Sequence, residues 1–291
     1  MNLAIIGLGN WGKKLLVTFN KQNKIKYCHT SGDLQNIQWV KKNFPKIKIV
    51  KNIDEILNDE KIDAVIIASP INTHHDFAKK SLLSKKHVFV EKPLSKNFSE
   101  AKSLFSLAKK NNLCLFVGNI FLYHPVFYKL KKLLSKEKIQ SISGIWLKTG
   151  TFGEDIILNL LYHEISLVCE LFGTPKKLIL NNSQKFASKS DILDIDVIFN
   201  KKIKCNFYIN RISNTKQKSL TIITNKNCYL WENEFLYKFS QRTNSFKKIY
   251  ESKQTALENE SNEFIKNIRI PSKRANSQIS LEVLKTLGTV L

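Results

Sequence analysis

Two short stretches of this 291-residue chain have residue types and spacing that could do chemistry. The first is GLGNWG, in which Gly7, Gly9 and Gly12 enclose Asn10 and Trp11. Such spacing lets the first glycine make a tight turn, the second admit a pyrophosphate close to the backbone, and the third pack a helix against a strand. The helix that follows would present its N–H groups and dipole to the phosphates, so the stretch predicts a dinucleotide cradle. The second stretch is VFVEKPLS, where Lys92 stands between an apolar run and Pro93. Proline keeps the residue before it out of helical geometry, which predicts the amine at the carboxyl edge of a sheet, where open α/β folds bind ligands.

Both stretches need a sheet to hold them, and the pattern around them supplies one. Leu3 to Ile6 reads as a strand, and Trp11, Leu15, Leu16 and Phe19 recur at helical spacing. Strands near Ile25–Cys28, Ile47–Val50, Asp63–Ser69, His87–Val90 and Leu113–Val117 alternate with helices at Leu34–Asn43, Ile53–Leu57, His75–Ser84 and Phe98–Lys110. That alternation predicts an α/β fold with a doubly wound parallel sheet over residues 1–118. At the end of the second strand an acidic residue would normally hold the adenosine ribose. Here His29, Thr30 and Ser31 occupy the place and Asp33 comes later. Hydroxyls without a carboxylate tolerate a 2′-phosphate, so the cofactor is NAD or NADP with NADP favoured, Lys13 or Lys14 taking the role an arginine would have.

After Gly118 the pattern changes. A helix (Pro125–Leu134), a strand region (Ile139–Lys148) and a helix (Ile156–Phe172) precede the period-two segments KLILNN, DIDVIFN, IKCNFYINRI, SLTIITN, CYLWEN and FLYKFS. Residues 119–291 are therefore expected to form an α+β domain with a large open, mainly antiparallel sheet. Helices at Glu258–Ile268 and Gln278–Leu287 end the chain, and the last of the chain is expected to pack back on the first domain.

Charge distribution sharpens the picture. Net charge is +23, yet 43 of the 47 basic residues are lysine, and nucleic-acid recognition favours the forked guanidinium, so the excess reads as surface composition and nucleic acid is disfavoured as a partner. The longest lysine- and arginine-free stretch, Thr149 to Pro175, should hold about four basic residues at this composition. It keeps Glu154, Asp155, Asn159, His163, Glu164 and Glu170 instead. As one helix, its residues Asn159, His163, Ser166 and Glu170 would share a polar stripe lining a cleft, opposite Ile157, Leu161, Ile165, Val168 and Phe172. No apolar run approaches the ~18 residues of a membrane span, and no secretory leader is visible at MNLAIIGLG. The five cysteines are odd in number and never form CxxC, which disfavours disulfides and a metal site and fits a cytoplasmic protein.

The strings GLGNWG, ASPINTHHDFAKKSLLSKKHVFVEKPLSKNFSEA, VGNIFLYHP and LNLLYHEISLVCELFG together resemble the glucose-fructose oxidoreductase/inositol dehydrogenase (Gfo/Idh/MocA) family along nearly the whole chain. The resemblance implies a Rossmann domain joined to an open antiparallel sheet domain. It implies an NAD(P)-dependent dehydrogenase or reductase acting on the CH–OH carbon of a sugar, cyclitol or nucleotide sugar, assembled as a homodimer or homotetramer. By the same resemblance Ser69, Pro70, Asn72 and His74 line the nicotinamide side, Glu91 and Lys92 are the EKP pair, and His163 lies near the reacting hydroxyl. One position departs from the family, which usually has aspartate four residues before that histidine where this chain has Asn159. Asparagine orients a hydroxyl but cannot take its proton, which leaves His163 to accept it while Lys92 polarises the oxygen. A cofactor-binding sensor without catalysis, and a nicotinamide-dependent lyase or glycosidase, are the alternatives that Asn159 keeps open.

Overall fold

The computed structural model describes residues 1–200, 203–270 and 278–290. Contacts divide the chain into two compact units, Met1–Asn119 with Leu257–Leu281, and Ile120–Ala256 with Glu282–Leu291.

The first unit alternates β1 (Asn2–Ile6), α1 (Asn10–Asn20), β2 (Lys24–His29), α2 (Leu34–Asn43), β3 (Lys48–Val50), α3 (Asp54–Leu57), β4 (Ala64–Ile67), α4 (His74–Leu83), β5 (His87–Glu91), α5 (Phe98–Lys110) and β6 (Leu115–Gly118). All strand pairs are parallel, in the order β3-β2-β1-β4-β5-β6. The chain direction of winding reverses between β1 and β4, and that is where open sheets of this order leave a crevice at their carboxyl ends. The central strands are buried on both faces, Leu3–Ile6 and Ala64–Ile67 having no exposed surface, which is why their sequence is continuously apolar instead of alternating. The helix α8 (Ala256–Arg269) joins this core through Phe264, whose ring packs against Phe19, Phe89 and Phe116 at centroid distances of 6.0, 5.6 and 5.7 Å. Leu257–Leu281 accordingly group with the first unit and Glu282–Leu291 with the second.

The second unit holds α6 (Pro125–Leu134), α7 (Tyr162–Phe172) and an eight-stranded sheet. Its strands are β7 (Ile139–Thr149), β8 (Lys177–Gln184), β9 (Ile192–Ile198), β10 (Lys204–Asn210), β11 (Ile212–Thr224), β12 (Cys228–Glu232), β13 (Phe235–Ser240) and β14 (Ser245–Glu251), in the order β14-β13-β12-β11-β7-β10-β9-β8. Every pair is antiparallel except β7 with β10. Strand β14 went unread in the sequence because four of its seven residues, Lys247, Lys248, Ser245 and Glu251, are polar and its apolar ones are largely exposed at the sheet edge. The last helix, α9 (Gln278–Leu287), has the expected bounds.

The segment Ile156–Phe172 is not one uniform α-helix. Residues Ile157–Leu161 form a π-turn before α7 begins at Tyr162. The wider turn breaks the four-residue register between Asn159 and His163, so the polar stripe expected from α-helical spacing does not run through both. Nor does α7 have a wet face: Tyr162 through Cys169 are all buried. Burial on every side is what keeps lysine out of this stretch. Among the described residues no helix is long and apolar enough to cross a membrane.

Candidate functional site

In the first unit, backbone crowding explains two of the three glycines. Gly7 has φ +96°, and a Cβ there would sit 2.5 Å from the Ala68 carbonyl oxygen; a Cβ on Gly12 would lie 2.1 Å from the Gly7 oxygen. Gly7 is fixed by its positive φ and the chain leaving β4, and Gly12 by the approach of α1 to the glycine turn. Gly9 differs, because a Cβ there would meet nothing within 4 Å. Gly9 is also the N-cap of α1 and supplies no side-chain cap to the first-turn N–H groups. Exposed Gly9 and Asn10 thus present uncapped amides and open space together, and this loop fits a dinucleotide's pyrophosphate.

Trp11, one residue into the helix, turns its indole across the sheet edge and donates Nε1–H to Glu91 at the end of β5. Burial pushes the Glu91 carboxyl up to about 7, against the pull of the Trp11 hydrogen bond and the charge of Lys92. Lys92 is half-buried and joined to buried Pro93 by a cis peptide bond. His74 braces this corner, its Nδ1 lying 2.8 Å from the Pro93 oxygen and its Nε2 2.7 Å from the Ser69 oxygen. Burial holds the His74 imidazole below its usual pKa, outweighing the two carbonyls, with Lys92 adding to the effect. Ser69 shares a 2.7 Å hydroxyl contact with Thr73, while Pro70 and Asn72 are exposed. Gly7–Gly12, Ser69, His74, Glu91 and Lys92 therefore gather at the carboxyl edge around β1, β4 and β5.

At the end of β2, Thr30 is buried and Ser31 exposed. Asp33 is committed elsewhere, its Oδ1 accepting the Asn36 N–H at 2.9 Å as the N-cap of α2. Lys13 and Lys14 lie over the rings of Trp39 and Trp11, at 5.3 and 5.1 Å from the centroids.

The second unit gathers a different set. His163, on the first turn of α7, packs edge-on against Phe121 at 4.9 Å and tilts against Trp146 at 5.7 Å. Ser166 donates its hydroxyl back to the His163 carbonyl at 2.7 Å and so serves the helix, not the polar stripe expected of it. Glu170 is ion-paired with Lys131 of α6. Asn159 is half-buried within the π-turn, which Asp155 caps by accepting the N–H groups of Ile157 and Leu158 at 2.8 and 3.0 Å. The residue that sequence reading missed is Lys218. Its ammonium pairs with buried Glu164 and lies over both Trp146 and Phe121. A signal existed, since Lys218 is in phase with Leu220 and Ile222 on the buried face of β11. Among the described residues no group of three or more His, Cys, Asp or Glu is placed to hold a metal ion.

A family model described as an oxidoreductase family with an NAD-binding Rossmann fold, Gfo/Idh/MocA, matches residues 1–119. An uncharacterized oxidoreductase of Schizosaccharomyces pombe is 29% identical over 168 residues, covering 53% of this chain and 44% of that one. The scyllo-inositol 2-dehydrogenase (NADP(+)) of Bacillus subtilis is 26% identical over 156 residues, 49% of this chain and 44% of the other. The chain thus spans less than half the length of these curated relatives. Among solved structures, UDP-N-acetylglucosamine 3-dehydrogenase from Acidithiobacillus ferrooxidans superposes with a TM-score of 0.90 at 19% identity, covering 100% of this chain and 96% of that one, a likeness of fold.

Proposed function

We propose that the chain, whose residues 1–119 match the Gfo/Idh/MocA oxidoreductase family model, is an NAD(P)-dependent oxidoreductase acting on a hydroxyl-bearing carbon of a sugar, cyclitol or nucleotide sugar. The observation that carries the proposal is the contrast among the glycines: Gly7 and Gly12 are filled by the fold, and Gly9 alone stands open over uncapped helix amides. A bound nicotinamide dinucleotide would supply the acceptance or donation of hydride. The amides of residues 9–12 hold its pyrophosphate, Thr30 and Ser31 take the adenosine ribose in the NADP form, and Ser69, Pro70, Asn72, His74 and Glu91 border the nicotinamide. Lys92 polarises the substrate oxygen, His163 accepts its proton, and Asn159 orients the hydroxyl without titrating. The scyllo-inositol 2-dehydrogenase to which the chain is similar supports the substrate class.

The open face of the sheet, which exposes Ile145 and Ile223 from adjacent strands, supports a homodimer or homotetramer of the 33.6 kDa chain, measurable by light scattering. The function is tested by melting the protein with NAD, NADH, NADP and NADPH, since a ligand that binds only the folded state raises the midpoint. NADPH or NADP is expected to give the largest shift, followed by substrate-dependent change in nicotinamide absorbance. No shift with any of the four overturns the reading. A shift without turnover on any sugar or cyclitol favours the sensor.

A further inference from the structure

Glu164 directly follows His163 in the chain, and the proposed reaction makes no use of its mostly buried ion pair with Lys218. Register along β7 and β11 sets Lys218 directly opposite Trp146, and the ammonium lies 3.7 Å from the Trp146 ring centroid and 4.3 Å from that of Phe121. The same two rings flank the His163 imidazole. Glu164 is 4% exposed and Lys218 20%, so the carboxylate is the more deeply buried partner and the lysine side chain keeps some exposure.

We propose that Lys218 and Glu164 form a hydroxyl-reading subsite beside His163, which makes them specificity-determining residues for a neutral polyhydroxylated ring lying on Trp146. The inference rests on the oxidoreductase reading above and narrows its substrate. An ammonium has three N–H donors and the ring faces accept none of them as an oxygen would, so the pairing with Glu164 leaves donor capacity for a ligand. The Glu164 carboxylate has lone pairs beyond the one that faces Lys218. Together they offer one donor and one acceptor side by side, which matches a hydroxyl or two adjacent hydroxyls, each both donor and acceptor. A flat indole beside them suits the C–H face of a pyranose or cyclitol.

Charge decides against the other ligand classes. A carboxylate or phosphate at this spot would compete with Glu164 for Lys218 and leave a buried carboxylate without its counter-charge, which is far costlier than keeping the pair. A cationic group would meet the Lys218 ammonium first. Only a neutral hydroxyl can bridge the pair without dismantling it.

The test is a calorimetric titration of protein saturated with whichever dinucleotide stabilises it most. Ligands are myo-inositol and two pairs differing in a C6 acid: glucose with glucuronate, and UDP-N-acetylglucosamine with its uronate. A neutral ring is expected to bind at least tenfold tighter than its acid counterpart. Lys218→Met and Glu164→Gln are each expected to weaken that neutral ligand at least tenfold while leaving dinucleotide affinity within twofold. Lys218→Arg, which keeps the charge and the pair, is expected to recover part of the loss, as a fault in folding would not allow. Equal or tighter binding of the acid, or a Lys218→Met variant within twofold of wild type, overturns the subsite. If no ligand binds a protein that still takes up dinucleotide, the subsite is refuted and the cofactor reading stands. If dinucleotide binding is absent as well, the reading beneath it falls too.

Discussion

Glu260, wholly buried on α8, lies within the field of Glu91 at the end of β5, and neither of its carboxylate oxygens has a side-chain partner. Burial first, and then the charge of Glu91, push the Glu260 carboxyl well above its usual range, while Glu91 itself is pushed up to about 7. A raised carboxyl pKa favours the folded state only while the proton is held. Its contribution is complete below the unfolded value near 4.5 and is lost as pH rises toward and through the folded value. Stability is therefore expected to decline between about pH 5 and 8. Glu260→Gln, which imitates the protonated acid, should flatten that decline and raise the melting midpoint at pH 8 by about 3 °C or more. Midpoints measured from pH 5 to 8 that fall equally in wild type and variant would remove Glu260 as the cause.

The three glycines separate folding from binding. Gly7→Ala places a Cβ against the Ala68 carbonyl at a positive φ, so the variant is expected to lose both stability and dinucleotide affinity. Gly9→Ala meets no protein atom, so its melting midpoint without ligand should stay within about 2 °C of wild type. Its affinity for dinucleotide should fall at least tenfold, because the new methyl takes the place proposed for the pyrophosphate. A Gly9→Ala protein that binds dinucleotide as tightly as wild type would place the phosphates elsewhere.

What the sequence showed depended on how local the cause was. Strand and helix alternation in the first unit was legible because each element announces itself: Leu3–Ile6 and Ala64–Ile67 are apolar throughout, and α2 and α5 have their expected bounds. The glycine turn was legible because its crowding is set by neighbours a few residues away and by one adjoining strand. The π-turn at Ile157–Leu161 was not, since a single extra residue per turn leaves the composition of a helix unchanged while rotating Asn159 against His163. Lys218 was hidden by number, one lysine among 43, although its phase with Leu220 and Ile222 marks it as inward-facing. Glu260 likewise lies in the Leu257, Ser261, Phe264, Ile268 stripe of α8, where an acid in an apolar row is the cue.

Lys92 is set at the sheet edge by β5 on one side and buried Pro93 on the other, and the site needs its charge more than its bulk. Lys92→Met keeps the aliphatic stem and is expected to lower turnover by about 100-fold or more, the usual scale for removing one proton-transfer or polarising group. Dinucleotide affinity should change less than threefold. The comparison of kcat with dinucleotide Kd checks both halves, and turnover that survives the substitution would take Lys92 out of the chemistry.

Arg211 tests the second unit independently. Its guanidinium is 2% exposed, donates to Asp191 Oδ1 at 3.0 Å, and reaches the carbonyl oxygens of Thr151, Glu154 and Ser190 at 2.8, 2.6 and 2.8 Å. It thereby ties the Gly150–Glu154 loop before the π-turn to the loop that Asp191 organises through the backbone amides of Phe186, Ala187 and Ser188. Burial alone would push the Asp191 carboxyl up. The Ser188 hydroxyl, the Ser188 and Phe186 amides and the Arg211 guanidinium together hold it far below the usual carboxylate range. A depressed carboxyl stabilises the fold above its unfolded value near 3.8, and that stability is lost as pH falls below it. Removing one partner of a buried pair strands the other charge, at a cost of about 3–5 kcal/mol. Arg211→Met should therefore lower the melting midpoint at pH 7 by roughly 10 °C. Asp191→Asn should also destabilise at pH 7, yet lose less than wild type between pH 5 and 3. A midpoint at pH 7 that moves by less than about 2 °C in Arg211→Met would mean that the two loops are held by their own backbone turns and not by the guanidinium.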